Sequence, residues 1–365
     1  MKKNLIFFMS DFSFGGAGNS ISKLCLSLSK KDYKISIISL GKCDYSKIFK
    51  KNKIKVYELK KRKLILSIFT IYNLLKKLFI KEYKNILVSN IHYNNIILTL
   101  LAKKIFGLKI VLVERTPLQE LNIYFSKFDF FKKKIIQILI YFIYPFSDVI
   151  VANSYGIKKG FNYQLSKKVI VIYPPSLKVI NKTASSNYKR KIFKTVCFSR
   201  LSMEKNLECA IKSFKYFKKE NISLTIYGEG ILKKKLIALI DKLNLNKKVF
   251  IKNHINYSQK EMKKFDILIS PSFFEGCSNT VIEGLNNNLV VIASNCPGGN
   301  AEILSYGKSG LLFKTNNEYD LFLKLNKTIN NFKYFNIKSK KYRTNLKNFL
   351  LSSNVKKFAR VFEEV

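Results

Sequence analysis

The sequence of 365 residues contains no tryptophan and only two histidines, His92 and His254. Its six cysteines (Cys25, Cys43, Cys197, Cys209, Cys277 and Cys296) include no C-x-x-C pair, so no zinc site is expected. Buried, reduced thiols in a cytosolic enzyme are the plain expectation. No two aspartates stand two residues apart, and no metal is expected in the site. Acidic residues are scarce, 23 against 67 Lys and Arg, which leaves a formal net charge of +44. No uninterrupted apolar run approaches the roughly 20 residues needed to span a bilayer. The apolar start of the chain is short and is broken by Ser10-Asp11, which favours a first β-strand over a signal peptide. No repeat of solenoid period is visible.

The remaining composition supports a folded chain. Hydrophobic residues make up 47%, enough for real cores, and the length suggests about two domains. The basic excess favours anionic partners: nucleic acid, nucleotide sugars or acidic lipid headgroups. The bias to Lys, Asn, Ile, Phe and Tyr is also what an AT-rich coding sequence produces. No zinc knuckle, helix-turn-helix or RNP-type aromatic motif is present, so no specific nucleic-acid partner is expected.

Strand and helix patterns alternate through the chain, which predicts α/β architecture with parallel sheets. Strand 4–9, the loop with Gly15-Gly16-Ala17-Gly18, a helix and strand 34–40 form one βαβ unit, its glycines allowing close approach of backbone to a phosphate or sugar. The spacing is G-G-x-G rather than G-x-G-x-x-G, and no acidic residue ends the second strand, which argues against a dinucleotide fold. Residues 62–83 and 126–146 read as basic, strongly apolar helices, the second carrying Lys132-Lys133-Lys134. The polar stretch 179–191 is the expected linker. Beyond it the alternation restarts, with Arg200 and Lys205 after one strand, Gly228-Glu229-Gly230 after the next, and a helical tail from about 318.

The stretch Pro271–Leu304 organises the second half. It reads as a loop, a helix over about 278–286, a strand over 289–293, a second loop and a second helix start. Ser278 and Asn279 are good caps, and helix N-terminal amides suit phosphate. Glu275 lies in the loop, where a carboxylate can take sugar hydroxyls. Glu283, with seven residues between the two, lies inside the helix.

These motifs resemble the retaining glycosyltransferases of family 4, with the GT-B fold. The match rests on the Glu275/Glu283 pair, on Phe198-Ser-Arg-Leu-Ser-Met-Glu-Lys-Asn206 (like G-R-L-x-x-x-K-N, with Ser199 for Gly), and on Gly228-Glu229-Gly230. Glu114-Arg115-Thr116-Pro117, Ala152-Asn153-Ser154 and Tyr173-Pro174-Pro175 extend it over nearly the whole chain. The resemblance implies two Rossmann-like domains facing each other across a cleft. Residues 1–178 would bind the acceptor, 192–335 would bind the nucleotide sugar, and helices in 336–365 would cross back to the first domain. It implies catalytic roles for Glu275, Arg200 and Lys205. Gly15, Gly16, Gly228, Ser278, Asn279, Thr280, Val281 and Glu283 would bind the donor, and His92 and Arg115 would meet donor sugar or acceptor. His254 is expected to be structural. No cofactor is implied beyond the nucleotide-sugar substrate, and the D-x-D of the other main glycosyltransferase fold is missing. The expected activity is metal-independent, retaining transfer of a hexose or N-acetylhexosamine, UDP-linked, to a lipid-linked or surface-polysaccharide acceptor such as a lipopolysaccharide precursor. The expected location is the cytoplasm, peripheral on the anionic inner face of the membrane. Rival readings are a basic nucleic-acid-binding protein and a catalytically silent GT-B scaffold.

Overall fold

A computed structural model describes residues 2–13, 15–61, 63–182, 192–218, 221–253 and 259–365, with the backbone alone at 259 and 260. Most of the expected linker, 183–191, and His254 lie outside the described residues. The chain divides into two compact units, Met1–Lys178 with Phe349–Val365, and Val179–Asn348.

The first unit holds a seven-stranded sheet ordered β3-β2-β1-β4-β5-β6-β7, every neighbour parallel. Its elements run β1 (Lys3–Met9), α1 (Gly16–Leu28), β2 (Tyr33–Ser39), α2 (Ser46–Lys51), β3 (Lys55–Glu58), α3 (Ile68–Leu78), β4 (Lys84–Asn90), α4 (His92–Lys103), β5 (Leu108–Glu114), α5 (Lys127–Ile143), β6 (Val149–Ala152), α6 (Tyr155–Lys158), α7 (Tyr163–Ser166) and β7 (Val169–Val171). The inner strands are apolar without alternation because helices cover both faces. Leu5, Phe7 and Met9 of β1 enter one core with α1; Ile6 and Phe8 enter the other with α3, α4 and α5.

The second unit repeats the plan with six parallel strands ordered β10-β9-β8-β11-β12-β13. Its elements are β8 (Phe193–Phe198), α8 (Leu207–Ser213), β9 (Ile222–Tyr227), α9 (Lys233–Lys242), β10 (Val249–Lys252), α10 (Gln259–Met262), β11 (Ile267–Ser270), α11 (Asn279–Asn286), β12 (Val290–Ser294), α12 (Asn300–Ile303), β13 (Leu311–Phe313), α13 (Glu318–Asn330) and α14 (Phe332–Tyr342). A 3-10 turn over Arg343–Phe349 leads to α15 (Leu351–Glu364).

The tail divides later than the sequence suggests. Phe332 and Phe335 of α14 belong to the second unit's core, so 336–348 stay with that unit. Only α15 returns: Val355, Phe358 and Phe362 join the first core, and Phe362 meets Phe7 edge-on at 6.3 Å.

In each sheet the strand order reverses once, between β1 and β4 and between β8 and β11. Open α/β sheets bind ligands beyond the carboxyl ends of the strands at such switch points. The segments there are 10–13 and 90–92 in the first unit, and 199–206 and 271–278 in the second.

Candidate active site

In the second unit the loops after β8 and β11 are stitched together. Phe273 N–H donates to the Glu204 carbonyl at 2.9 Å. Lys205 Nζ lies 2.7 Å from Glu275 Oε1, and Ser272 Oγ donates to the same oxygen at 2.8 Å. Both charged side chains of this pair are largely buried, at 18% and 15% exposure. Glu275 is fixed from behind as well: its N–H donates to Pro297 O at 3.1 Å, and its carbonyl accepts from Gly299 N–H at 3.0 Å. Gly298, at φ +116°, packs so closely that a Cβ would lie 1.6 Å from Glu275 O. Arg200 stands apart from this pair. Its guanidinium is 78% exposed and meets Glu204 at 3.1 Å.

The helix α11 begins where that loop ends. Ser278 caps it, its Oγ accepting from Val281 N–H at 3.4 Å, so the Val281 amide is committed to the cap and its side chain is fully buried. Thr280 Oγ1 reaches Phe198 O at the end of β8, 3.5 Å away. Gly284 lets the helix settle on the sheet, since a Cβ there would sit 3.2 Å from Leu268 and 3.3 Å from Val291. Glu283 is consequently carried on the rigid middle of α11, half-buried. Ser272, Gly298 and Glu204 were not singled out by motif, because their roles depend on contacts between loops far apart in sequence.

Gly228 and Gly230 serve the protein's own backbone. A Cβ at Gly228 would be 1.9 Å from Ser199 O, and one at Gly230 would be 2.4 Å from Leu201 O. The expected approach to a nucleotide is thus preceded by an approach to the β8 loop, which these glycines hold in place.

In the first unit, α1 begins at Gly16 after an extended Gly15. A Cβ on Gly15 would meet nothing within 4 Å among the described residues, whereas one on Gly18 would strike Ser13 O at 2.4 Å. The loop's tight residue is therefore Gly18.

After β4, Ile91 adopts φ +72°, a strained value for a β-branched residue. Its N–H donates to Val113 O at 3.0 Å, and its carbonyl accepts the Asn94 and Asn95 amides. Arg115 Nε donates to Asn90 Oδ1 at 2.9 Å, while Ser10 Oγ donates to Asn94 Oδ1 at 2.6 Å. His92 is wholly buried. Its Nε2 lies 2.8 Å from Glu120 Oε1 and its Nδ1 lies 3.5 Å from Glu114 Oε2. Asn95 and Tyr144 both donate to Glu114 Oε1. The expectation that His92 meets a sugar therefore meets a physical obstacle: both ring nitrogens face buried carboxylates.

The model for glycosyl transferases group 1 matches residues 180–348. An uncharacterized glycosyltransferase of Methanocaldococcus jannaschii is 31% identical over 311 residues, 72% of this chain and 72% of that one. The chain belongs to the group 1 glycosyl transferases. The N-acetylgalactosamine-N,N'-diacetylbacillosaminyl-diphospho-undecaprenol 4-alpha-N-acetylgalactosaminyltransferase of Campylobacter jejuni is 32% identical over 196 residues, 53% of this chain, and the match spans about half of that enzyme (53%). The crystal structure of Anabaena HepE with UDP-glucose superposes with a TM-score of 0.80 at 15% identity, covering 99% of this chain and 100% of that one. The fold is GT-B, with two Rossmann-like sheets.

In this glycosyltransferase the buried His92 cluster carries a pH prediction. Burial alone would lower the imidazole's pKa, but the flanking carboxylates of Glu114 and Glu120 overcome it and raise the value to about 9. The folded value exceeds the ordinary 6.5, so the stabilisation is complete below about 6.5 and is lost as pH rises through about 9. Its size is on the order of 3 kcal/mol. Thermal unfolding between pH 6.5 and 8.5 checks it: wild type loses stability more steeply across this window than His92→Gln, which starts lower. Equal slopes would exclude the linkage.

Among the described residues no three His, Cys, Asp or Glu side chains are placed to hold a metal ion. The buried thiol of Cys296, behind Glu275, is pushed up to about 12 by desolvation, which suits packing better than chemistry.

Proposed function

We propose that the protein transfers a hexose or N-acetylhexosamine from a UDP-sugar to a lipid-linked or surface-polysaccharide acceptor, with retention and without a metal. The observation that carries this reading is the Lys205–Glu275–Ser272 node at the β8/β11 switch point, beside the start of α11. The match to the Campylobacter enzyme supports it. That enzyme's name specifies a diphospho-undecaprenol acceptor and an α linkage, which retention yields from an α-linked nucleotide sugar.

The chemistry follows from charge. Cleavage of a sugar–diphosphate bond leaves growing negative charge on the diphosphate, and preorganised cations stabilise it most in the transition state. Lys205 supplies a compact charge and Arg200 a planar fork. Once the diphosphate draws Lys205 away, Glu275 is released to accept sugar hydroxyls, held in place by Ser272. Glu283 takes the ribose diol. No enzymic nucleophile is assigned; the leaving phosphate removes the acceptor proton. A panel of UDP- and GDP-sugars tests the reading by thermal stabilisation and transfer. Stabilisation by no nucleotide sugar sinks it, and loss of activity in chelator sinks the metal-free part.

The acceptor side is proposed to meet an anionic membrane. Along α5, Phe128, Phe131, Ile135, Ile138 and Phe142 follow 3-4-3-4 spacing and are 56–80% exposed. Lys127, Lys132 and Lys134 beside them are also exposed. Ile65, Leu66 and Phe69, at and just before the start of α3, are exposed too. Such a broad apolar stripe with lysines suits the plane of an interface. No described helix is long and apolar enough to cross a membrane. Lys133 is not part of this face: it is buried, donating to Ile123 O at 2.7 Å and pairing with Asp129 at 3.1 Å. With about 1 kcal/mol per basic residue, replacing Lys127, Lys132 and Lys134 by Gln weakens vesicle binding by about 10²-fold. Co-sedimentation with anionic vesicles measures it. Unchanged binding, or equal partition onto neutral vesicles, contradicts electrostatic docking.

A further inference from the structure

The helices that leave the two loops around Glu275 are gripped at their far ends by one short segment. Arg343, only 7% exposed, opens the 3-10 turn after α14. Its Nη1 donates to the carbonyls of Leu285 at 3.1 Å and Asn286 at 3.4 Å, the last residues of α11. Its Nη2 donates to Asn181 O at 2.7 Å. Two residues on, Asn345 Nδ2 donates to Glu302 O at 3.0 Å and Ile303 O at 2.6 Å, the last residues of α12. Terminal carbonyls of a helix have no partner within it, and a cation there complements the helix's negative end.

Asparagines reinforce the grip. Asn286 Oδ1 accepts from Asn181 N–H at 2.9 Å, and its Nδ2 donates to Val179 O at 3.2 Å. Asn181 Nδ2 donates to Asn287 Oδ1 at 3.2 Å, and Asn336 Nδ2 donates to Asn288 O at 3.2 Å. The back of α11 is thus tied to residues 179–181 and to α14.

Glu283 lies in the middle of α11, whose eight residues span about 12 Å. The N-cap of α12 is Gly299, whose N–H holds the Glu275 carbonyl. Helices this short behave as rigid levers, so a shift at their C-terminal ends reappears at both glutamates.

We propose that Arg343 and Asn345 are positioning residues that preset Glu283 and Glu275 for the nucleotide sugar. The inference rests on the donor reading above, and neither residue touches the ligand. A guanidinium is required because one planar fork bridges α11 and the 181 carbonyl together; a Lys ammonium on the same stem cannot reproduce that fork.

The test uses Arg343→Lys and Asn345→Ala in the full chain, since Arg343→Ala leaves several buried carbonyls unpaired and is open to misfolding. Both variants raise KM for the donor about 5- to 10-fold, the effect of roughly 1 kcal/mol. Arg343→Lys, acting through α11 on Glu283, changes kcat by less than about two-fold, Asn345→Ala, acting through Gly299 on Glu275, also lowers kcat, and neither alters the acceptor KM. Hydrogen–deuterium exchange at amides 279–286 quickens in Arg343→Lys. Arg360→Lys, at an exposed pair on α15, is the control and changes nothing. Folded variants with wild-type donor KM, or an equal rise in acceptor KM, overturn the proposal. If wild type uses no nucleotide sugar, the donor reading fails by itself. Exchange at 279–286 then still decides the clamp, and unchanged exchange in Arg343→Lys overturns it.

Discussion

Lys205→Ala and Glu275→Ala each lower sugar transfer by about 10²-fold or more, yet they move nucleotide affinity in opposite directions. Lys205 Nζ is held 2.7 Å from Glu275 Oε1 in a pair that is mostly buried. A diphosphate recruiting Lys205 must displace that carboxylate, which also repels it. Removing Glu275 therefore frees the cation, and UDP without sugar binds as tightly as to wild type or tighter. Removing Lys205 leaves Glu275 with Ser272 as a neutral donor and no cation, and UDP binds more weakly. Calorimetric titration with UDP reads both signs. Transfer rates with a saturating UDP-sugar read the shared loss. The double variant loses less than the product of the single losses, because residues in one ion pair act as a unit. Arg200→Ala lowers transfer by a smaller factor, since its exposed pair with Glu204 leaves the guanidinium well hydrated. Weakened UDP binding in both Lys205→Ala and Glu275→Ala would exclude the exchange of partners.

Much of this site was legible in the sequence because its residues follow strands. The patterns ending at Phe198 and Ser270 place Arg200, Lys205 and Glu275 just beyond strand ends, and parallel alternation makes such ends converge. Ser278 is recognisable as a cap, and it caps α11. What was not legible depends on tertiary pairing. Nothing near His92 announces that Glu114 and Glu120, 22 and 28 residues later, close over both ring nitrogens. The lysine run 132–134 reads as one basic face, but helical geometry turns Lys133 inward to Asp129 and Ile123. The helices of 336–365 were expected to return to the first domain together. Residues 336–348 instead stay with the second unit, and the return waits for α15. Backbone carbonyls carry no sequence signal, so neither Arg343 nor Asn345 stands out in a lysine- and asparagine-rich chain.

Gly298→Ala is expected to have a large structural effect. Gly298 has φ +116°, where an L side chain is strained whatever space surrounds it. An added Cβ would also lie 1.6 Å from Glu275 O, an impossible contact with backbone. Either the 296–299 turn or the Glu275 loop must move by more than 1 Å, which breaks the Gly299-to-Glu275 hydrogen bond. Backbone strain of this kind costs about 1–3 kcal/mol before any lost contact is counted. For a chain of this size each kcal/mol lowers Tm by roughly 2–4 °C, so a fall of at least several degrees is expected. Displacing Glu275 by 1 Å costs transfer about 10²-fold in the fraction that remains folded. Gly15→Ala is the counterpart. Its backbone is extended and a Cβ would meet no atom of the described residues within 4 Å, so Tm is expected to stay at the wild-type value. Any transfer lost in Gly15→Ala then reports a substrate atom where the protein leaves space. Thermal unfolding and transfer assays on the two variants decide the matter. A Gly298→Ala protein with wild-type Tm and activity would show that the turn does not hold Glu275 in place.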